Sequence, residues 1–477
     1  MACFPPLLRP TAALLALVLS GCATVGPDYV APDPPAPAAW QSLHPGATNR
    51  EPTADELARW WRHFDDPTLD ALIAEALAAN PDLARAQAQL RESRARRDLA
   101  GAERFPTLTA NAGGQRVTSS RETGSGVRRT LYSAGFDAAW EPDVFGGRAR
   151  ALEAAQATEE SSAAALANTQ VSLAAEVALN YVELRAFQSR LAIARANLAS
   201  QAETLQITDW RAQAGLVASL DVDQAQTTLE QTRASVPGLE TGLAEARHRL
   251  AILTGQAPGA LAERLSASGP VPAVPATIAV GIPAQALRQR PDVAAAERSL
   301  AAATAQIGVA EAARYPALAL SGSLGSEALT VGALGGGASL ARSLVASLSA
   351  PIFDAGRLRA QVRVQEALRD QALASYRQTL LTALEDVENA LVAQNNSQRQ
   401  EAALFQAEAS ARRAADLARQ RYASGLVDFQ TVLNTERTLL TVQDALATAT
   451  AARATAVVQL YKALGGGWTP LPQDSRS

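Results

Sequence analysis

Cysteine, lysine and aromatic residues are scarce in this 477-residue sequence, and each shortage excludes a class of protein. Two cysteines, Cys3 and Cys22, are too few for a disulfide-stabilised scaffold. Lys462 is the only lysine, the formal net charge is -4 and no basic patch stands out, so the composition does not indicate nucleic-acid binding. Alanine dominates the apolar residues, which favours long, closely spaced helices over a core of bulky side chains.

The sequence also lacks the motifs of common enzymes. The three histidines, His44, His63 and His248, are far apart and show no metal-binding spacing. It contains no glycine-rich phosphate loop and no G-x-S-x-G nucleophile motif. We therefore expect a protein that is not an enzyme and that uses no metal or other cofactor.

An apolar run at residues 12–20 precedes Cys22 and is too short to span a bilayer. Its length fits the core of a secretory signal peptide, and Leu19-Ser20-Gly21-Cys22 resembles a bacterial lipobox. We predict a signal peptide at 1–21 and a covalent lipid on Cys22, which becomes the first residue of the mature chain. The alternative is an ordinary signal peptide with a chance cysteine, but the Pro-rich residues that follow suit an anchored tether.

A long internal repeat organises the rest of the chain. The segment NPDLARAQAQL from Asn80 matches RPDVAAAERSL from Arg290, 210 positions later. The same offset relates RAQAGLVASLDVD from Arg211 to RYASGLVDFQTVL from Arg421. Solenoid modules repeat every 20 to 50 residues or so, and this longer period therefore indicates a duplicated domain.

Each half contains two segments with the alternating polarity of a β-strand. They lie at 107–115 and 131–140 in the first half and at 318–324 and 339–349 in the second, where Arg342 interrupts the apolar side. A soluble sandwich would show the same alternation, but strands of about ten residues with aromatic residues near their ends are typical of a transmembrane barrel. Since four strands cannot close a barrel, this interpretation requires several protomers to share one.

Two very long helices are predicted, one in each half. Residues 148–212 contain neither proline nor glycine, and one helix of this length would reach roughly 100 Å. The corresponding outgoing helix of the second half runs from Arg357 to Tyr422. No compact domain is that long, so these helices must extend away from the strands.

Apolar residues recur every seven positions from Val177 to Leu205 and again from Val222 to Leu250. This pattern predicts an antiparallel coiled-coil hairpin whose turn is Gly215-Leu216-Val217. The equivalent turn of the second half, 210 positions later, is Gly425-Leu426-Val427. Pro237-Gly238 is expected to kink or divide the first returning helix.

Several segments together resemble the TolC-type outer-membrane efflux proteins, and within them the lipidated branch. In order they are GCATVGPDYVAP, WWRHFDDPTLDALIAEALAANPDL, WEPDVFGGRAR, IPAQALRQRPDVAAAERSL, SAPIFDAGRLRA and RYASGLVDFQTVLNTERTLL. The resemblance implies an α+β membrane protein built from a duplicated helix-strand-strand-helix-helix repeat. Three copies would share one outer-membrane β-barrel, four strands from each, continuous with a long α-helical barrel.

The repeat and the resemblance together predict six segments. These are a signal peptide at 1–21, a lipid-anchored Pro-rich tether and N-terminal segment at 22–67, a first repeat at 68–256, a Pro-rich linker in an equatorial belt at 257–282, a second repeat at 283–466 and a C-terminal tail at 467–477.

The resemblance implies a passive exit duct in the bacterial outer membrane, lipid-anchored and with a large periplasmic portion, that exports small molecules such as drugs. The implied partners are two further copies of the chain, a periplasmic adaptor (membrane fusion) protein, an inner-membrane RND-type pump and outer-membrane lipid. The adaptor would contact the hairpin turns at Gly215, Leu216, Val217, Gly425, Leu426 and Val427. The alternatives are a type I protein secretion channel and a periplasmic coiled-coil scaffold lipoprotein that forms no channel.

Members of this family often carry an acidic ring at the constriction, supplied by aspartates in the first turns of the second returning helix. Here Thr431 and Asn434 occupy those positions. An acidic ring would therefore come from Asp221 and Asp223, or from Asp428. The alternative is that these three acids are solvated residues near helix N-termini.

A second set of candidates concerns the closed state of the duct. The resemblance implies that Arg421 and Tyr422 hold it through bonds to a neighbouring helix. Arg211 is the equivalent of Arg421 in the first half, but Ala212 replaces the tyrosine there.

Overall fold

The computed structural model describes residues 24–33, 37–45, 47–275 and 277–469. The predicted signal peptide, Cys22 and the end of the predicted tail lie outside the described residues. The helices are α1 (Ala54–Ala58), α2 (Pro67–Ala79), α3 (Pro81–Ala102), α4 (Gly147–Gln213), α5 (Ser219–Leu253), α6 (Pro283–Gln289), α7 (Pro291–Ala312), α8 (Arg357–Ala423) and α9 (Phe429–Ala463). The strands are β1 (Ala47–Thr48), β2 (Thr107–Thr118), β3 (Arg128–Trp140), β4 (Ile278–Ala279), β5 (Ala317–Ala328) and β6 (Leu340–Ser349).

The two halves of the chain repeat the same elements at nearly the same lengths. Helices α3 and α7 have 22 residues each, α4 and α8 have 67 each, and α5 and α9 have 35 each. In each half, two strands lie between the 22-residue helix and the 67-residue helix. This confirms the predicted helix-strand-strand-helix-helix duplication.

The long helices begin and end where the sequence predicts. The carboxylate of Asp143 accepts hydrogen bonds from the amides of Arg148 and Ala149 and so caps the start of α4. Helix α4 then continues to Gln213 because no proline or further glycine interrupts it. Among the described helices, none is both long enough and apolar enough to cross a lipid bilayer.

Pro237-Gly238 is predicted to kink or divide the first returning helix, and the division does not occur, because α5 is continuous from Ser219 to Leu253. A proline in a helix removes the hydrogen bond to the carbonyl four residues earlier, here that of Arg233. Both residues are exposed, so water can satisfy that carbonyl. The hydroxyl of Thr241 donates to the Pro237 carbonyl at 2.9 Å, within the same helix.

The chain divides into two compact units. The described part of the sheet unit comprises residues 24–33, Gln89–Ala163 and Ala295–Arg377. The described part of the hairpin unit lies within residues 37–88, Ala164–Ala294 and 378–469.

The sheet unit contains one antiparallel sheet in the order β2-β3-β5-β6, so the pairing of β3 with β5 joins the two repeats. Gly135 and Gly325 face each other in that pair, and a Cβ on Gly135 would lie 2.7 Å from the Gly325 Cα. The close approach of these two backbones therefore requires glycine at both positions.

The register places most large apolar residues of the four strands on one side of the sheet, here called the leucine face. Its large apolar members are Leu108, Tyr132, Phe136, Trp140, Leu318, Leu320, Leu324, Leu340, Leu344 and Leu348. The other side, the polar face, carries Asn111, Gln115, Ser133, Asp137, Ser321, Ser323, Glu327, Ser343 and Ser347. Val117, Leu131 and Val345 are large apolar residues that lie on the polar face. Apart from such positions, the alternation that the sequence predicts for single strands is in phase across the sheet.

The segment Thr24–Tyr29, here called the N-terminal strap, packs on the helices of the sheet unit. The buried guanidinium of Arg150 on α4 donates to two carbonyls of the strap and pairs with Asp28 at 2.7 Å. Gly26 lies against Gly308 of α7, where a Cβ on Gly26 would be 2.4 Å from the Gly308 Cα. The strap therefore contacts a helix of each repeat.

The hairpin unit has a core in which Trp60 is completely buried and its ring stacks on Tyr461 at 5.3 Å. Arg290, from the RPDV segment, is also buried in the hairpin unit and directly precedes α7. Its guanidinium pairs with Asp292 and Asp386 and donates to the Ala463 carbonyl at 2.9 Å. This arginine thereby joins the start of α7 to the middle of α8 and the end of α9.

Candidate functional site at the hairpin turns

The two hairpin turns, between α4 and α5 and between α8 and α9, have the same backbone geometry. Gly215 and Gly425 follow the outgoing helices with φ of 71° and 72°. In each turn the amide of the next residue, Leu216 or Leu426, donates to a carbonyl five residues earlier at 2.8 Å. This is a Schellman motif, in which glycine adopts the left-handed conformation at little cost.

The leucine of each turn is exposed, and the valine is not. Leu216 is 68% exposed and Leu426 is 73% exposed, whereas Val217 and Val427 are half-buried. Both leucines are therefore accessible to another protein.

The first turn carries additional exposed apolar residues that the sequence analysis missed. Ile207, Trp210 and Leu220 all expose large parts of their side chains beside Leu216 in the sequence. Trp210 offered a signal, since a tryptophan is unusual in an alanine-rich helix and lies outside the seven-residue apolar pattern.

Arg211 and Tyr422 join the two repeats behind the turns. The Arg211 guanidinium carbon lies 4.5 Å from the centre of the Tyr422 ring, and its Nη1 donates to the Tyr422 carbonyl at 2.6 Å. The Tyr422 ring also contacts Phe429, with the two ring centres 5.8 Å apart. Arg421 is exposed, and its side chain makes no hydrogen bond or ion pair with the described residues. The arginine that contacts Tyr422 is therefore that of the first repeat.

A small cavity of about 70 Å³ lies next to Tyr422, and Ser200, Thr204 and Arg419 help to line it. The Tyr422 hydroxyl is buried and has no hydrogen-bond partner among the described residues. A cavity of this size with polar walls has room for a water molecule.

Glu436 is buried on α9, close to the same residues. Its carboxylate accepts a hydrogen bond from the Thr204 hydroxyl at 3.0 Å and lies 3.8 Å from the Arg419 Nε. Burial raises the pKa of the Glu436 carboxyl, while the Thr204 hydroxyl and the Arg419 guanidinium oppose the rise. Glu436 thus links α9 to α4 and α8. The sequence contained a signal, because position 436 lies four residues after Val432, on the apolar side of its helix.

The candidate aperture residues have different surroundings. Asp221 is half-buried, Asp223 is exposed, and Asn434 is exposed and accepts a hydrogen bond from Gln430 at 3.1 Å. Asp428 is the N-cap of α9. Hydrogen bonds from the Thr431 hydroxyl and amide hold the pKa of the Asp428 carboxyl below its usual value.

Comparison with known proteins places this fold in a family. A family model described as "Outer membrane efflux protein" matches residues 72–256 and 282–466, two ranges that lie 210 positions apart. The pyoverdine export outer membrane protein OpmQ of Pseudomonas aeruginosa is 36% identical over 470 residues, covering 94% of this chain and 96% of OpmQ. The toluene efflux pump outer membrane protein TtgI of Pseudomonas putida is 35% identical over 468 residues, covering 95% and 97%.

Solved structures agree with these sequence matches. The structure of the outer-membrane channel OprN superposes with a TM-score of 0.88 at 40% identity, covering 94% of this chain and all of that one. The open state of the MtrE outer membrane channel of Neisseria gonorrhoeae gives a TM-score of 0.84 at 28% identity.

The duplicated helical hairpins and the two-faced sheet define this chain as an outer-membrane channel protein of the TolC type. More particularly, it belongs to the outer membrane efflux protein family, and its function is that of an outer-membrane component of an efflux pump.

Proposed function

We propose that three copies of this chain form one exit duct, which carries small molecules from an inner-membrane pump across the periplasm and the outer membrane. The observation that carries the proposal is the four-stranded sheet with its outward apolar side. Its edge strands β2 and β6 have no partner among the described residues, and Leu344 is 86% exposed on the leucine face. A sheet in lipid must close on itself, and closure requires about eight strands or more.

The order of helices and strands supports one orientation of each protomer in the outer membrane. All four helix connections meet the sheet at one end of its strands, and the loops 119–127 and 329–339 lie at the other end. With the helices in the periplasm, these two loops face the outside of the cell. The leucine face then contacts lipid, and the polar face lines the duct.

The duct is passive, and the pump supplies the energy. The hairpin turns form its periplasmic end, where Leu216, Leu426 and their neighbours contact an adaptor protein. The contact between Arg211 and Tyr422 holds the turns closed until the adaptor and the pump assemble. Asp221, Asp223 or Asp428 would give the opening a preference for cations, an effect that salt weakens.

The cargo is proposed to be small organic molecules. Relatives of this chain are named for pyoverdine export, for toluene and solvent efflux and for antibiotic efflux. Since the pump selects the cargo, an RND-type pump as partner favours drug-like compounds, whereas an ATP-driven exporter would point to type I protein secretion.

Cross-linking in cells tests the partners. A cysteine at Val427, which is half-buried at the second turn, should capture a periplasmic adaptor together with a proton-driven pump. Ala234→Cys provides the control, because Ala234 is exposed on α5 but lies several helical turns from the tip. Capture of an ATP-driven exporter by the Val427 cysteine would favour secretion instead. Equal capture at both positions, or none at Val427, would contradict adaptor contact at the turns.

The mass of the assembly and its conductance test the channel. The purified protein should have the mass of three chains after correction for detergent, and it should conduct ions in planar lipid bilayers. A monomer without conductance would rule out the shared sheet and favour the scaffold lipoprotein.

A further inference from the structure

Three arginines stand out on the leucine face of the sheet. The register places Arg116 of β2, Arg128 of β3 and Arg342 of β6 on the same side as the leucines. All three are exposed, and none forms a hydrogen bond or ion pair with another described residue. An arginine on a lipid-facing surface is costly at mid-membrane and costs little near the interface. Their position along the strands therefore decides whether they can be accommodated.

Each arginine lies within two residues of the loop end of its strand. Arg128 is the first residue of β3, Arg116 is two residues before the end of β2, and Arg342 is two residues after the start of β6. In the orientation of the proposed function, on which this inference rests, that end lies at the outer surface of the membrane. The arginines then lie at the level of the lipid headgroups.

The two faces of the sheet differ in charge. Within the four strands, the leucine face carries these three arginines and no acid, whereas the polar face carries Arg129 together with Asp137 and Glu327. The nearest acid of the first loop, Glu122, forms no ion pair with them among the described residues. The leucine face thus bears a net positive charge at its outer end.

Arg116 and Arg128 are also close to each other. Arg116 pairs with Thr130 and Arg128 pairs with Thr118, so the two arginines are diagonal neighbours on adjacent strands. The Cα atoms of such neighbours are about 7–8 Å apart. Like charges at this separation repel, and an anion between them would relieve the repulsion. The fork of an arginine side chain binds the oxygens of a phosphate with two hydrogen bonds.

We propose that Arg116, Arg128 and Arg342 bind the phosphate groups of lipid headgroups in the outer leaflet. The leucines below them contact the acyl chains, and the arginines hold the headgroups at the rim. In a closed ring of three chains, β6 of one protomer adjoins β2 of the next, so Arg342 of one copy would approach Arg116 of its neighbour. The lipid would then also support the junction between protomers.

Binding of lipid A, a glycolipid with two phosphates, provides the test. The purified full-length assembly should bind lipid A and melt at a higher temperature in its presence. Neither dephosphorylated lipid A nor inorganic phosphate at the same concentration should raise the melting temperature comparably. Each basic residue near an anionic lipid surface contributes about fivefold to affinity, so the variant R116Q/R128Q/R342Q should bind about a hundredfold more weakly.

Arg129→Gln is the matched control, because Arg129 is adjacent to Arg128 but lies on the polar face. It should bind lipid A as the wild type does. If the triple variant fails to fold, Arg128→Gln should still weaken binding about fivefold, and Arg128→Lys should restore part of it.

Two results would overturn the inference. One is equal protection by lipid A and its dephosphorylated form, which would indicate acyl-chain contact alone. The other is loss of the trimer mass in the triple variant without any lipid A binding by the wild type, which would indicate that the arginines pair with acids of a neighbouring copy. Conductance separates the two proposals, since a wild type that conducts without binding lipid A fails only this inference.

Discussion

Arg211 of the first repeat lies over the ring of Tyr422 of the second, with 4.5 Å between the guanidinium carbon and the ring centre. A cation above an aromatic ring contributes about 0.5–2 kcal/mol, and the hydrogen bond to the Tyr422 carbonyl adds to this. If this contact holds the turns closed, Arg211→Ala should raise single-channel conductance several-fold. Tyr422→Phe should leave conductance unchanged, because the Tyr422 hydroxyl has no partner among the described residues. Equal effects of both variants would contradict this role.

Glu436 should make the stability of the helical hairpins depend on pH. Burial raises the pKa of its carboxyl above the ordinary value of 4.5, so folding favours the protonated form. The stabilisation is complete below about pH 4.5 and is lost as the pH rises through the raised pKa. Glu436→Gln should therefore raise the melting temperature more at neutral than at acidic pH.

Asp428→Asn supplies the control for this prediction. The pKa of Asp428 lies below its usual value of 3.8, so the group stays ionised across the pH range of the experiment. Its substitution should change the melting temperature by the same amount at every pH above about 4.5. A Glu436→Gln effect that is equally independent of pH would show that the buried carboxyl does not titrate differently on folding.

Two glycines of the first hairpin should respond to alanine in opposite directions. Gly215 has φ of 71°, Gly238 has an ordinary helical conformation, and a Cβ at either would meet no atom within 4 Å. Gly215→Ala should destabilise by about 1–2 kcal/mol because alanine is strained in the left-handed conformation. Gly238→Ala should stabilise by about 1 kcal/mol. Chemical denaturation of both variants measures the difference, and two changes of the same sign would contradict the turn geometry.

The N-terminal strap can be tested through Gly308. An added Cβ would lie 2.7 Å from the Arg150 Cγ and 3.0 Å from the Val25 carbonyl oxygen. Gly308→Ala should therefore destabilise the protein by about 1–3 kcal/mol, although alanine favours the helix itself. Gly238→Ala is again the control, because it is the same substitution at a helical position where the added Cβ would meet no atom within 4 Å. A stabilising effect of Gly308→Ala would show that the strap does not need this contact.

Features that depend on the local sequence could be predicted. The ends of α4 follow from its lack of interior proline and glycine, and the strands follow from residues that alternate in polarity. Pro237 does not divide α5, because the cost of a helical proline depends on whether the freed carbonyl can reach water. Exposure of that carbonyl is a property of the packed structure and not of the sequence near Pro237.

Features that join distant segments could not be predicted in the same way. Arg211 and Tyr422 are separated by 211 residues. The sequence analysis expected Tyr422 to bond to a neighbouring helix but did not identify Arg211 as its partner. The pairing of β3 with β5 and the burial of Glu436 likewise depend on how the repeats pack. The 210-residue period indicates that two halves are alike, but it does not specify which faces meet. The proposed roles of Asp221, Asp223, Asp428 and Asn434 remain predictions.

Because the N-terminal strap is docked on the helices, only a short stretch of chain would separate a lipid on Cys22 from the folded protein. Thr24 lies against Gly146 at the start of α4, where an added Cβ would be 2.5 Å from its methyl group. Two residues of extended chain reach about 7 Å at most. A force pulling on the anchor would therefore load Arg150 and the contact at Gly308 before it reached any strand. The lipid anchor and the sheet unit would then move together with the membrane.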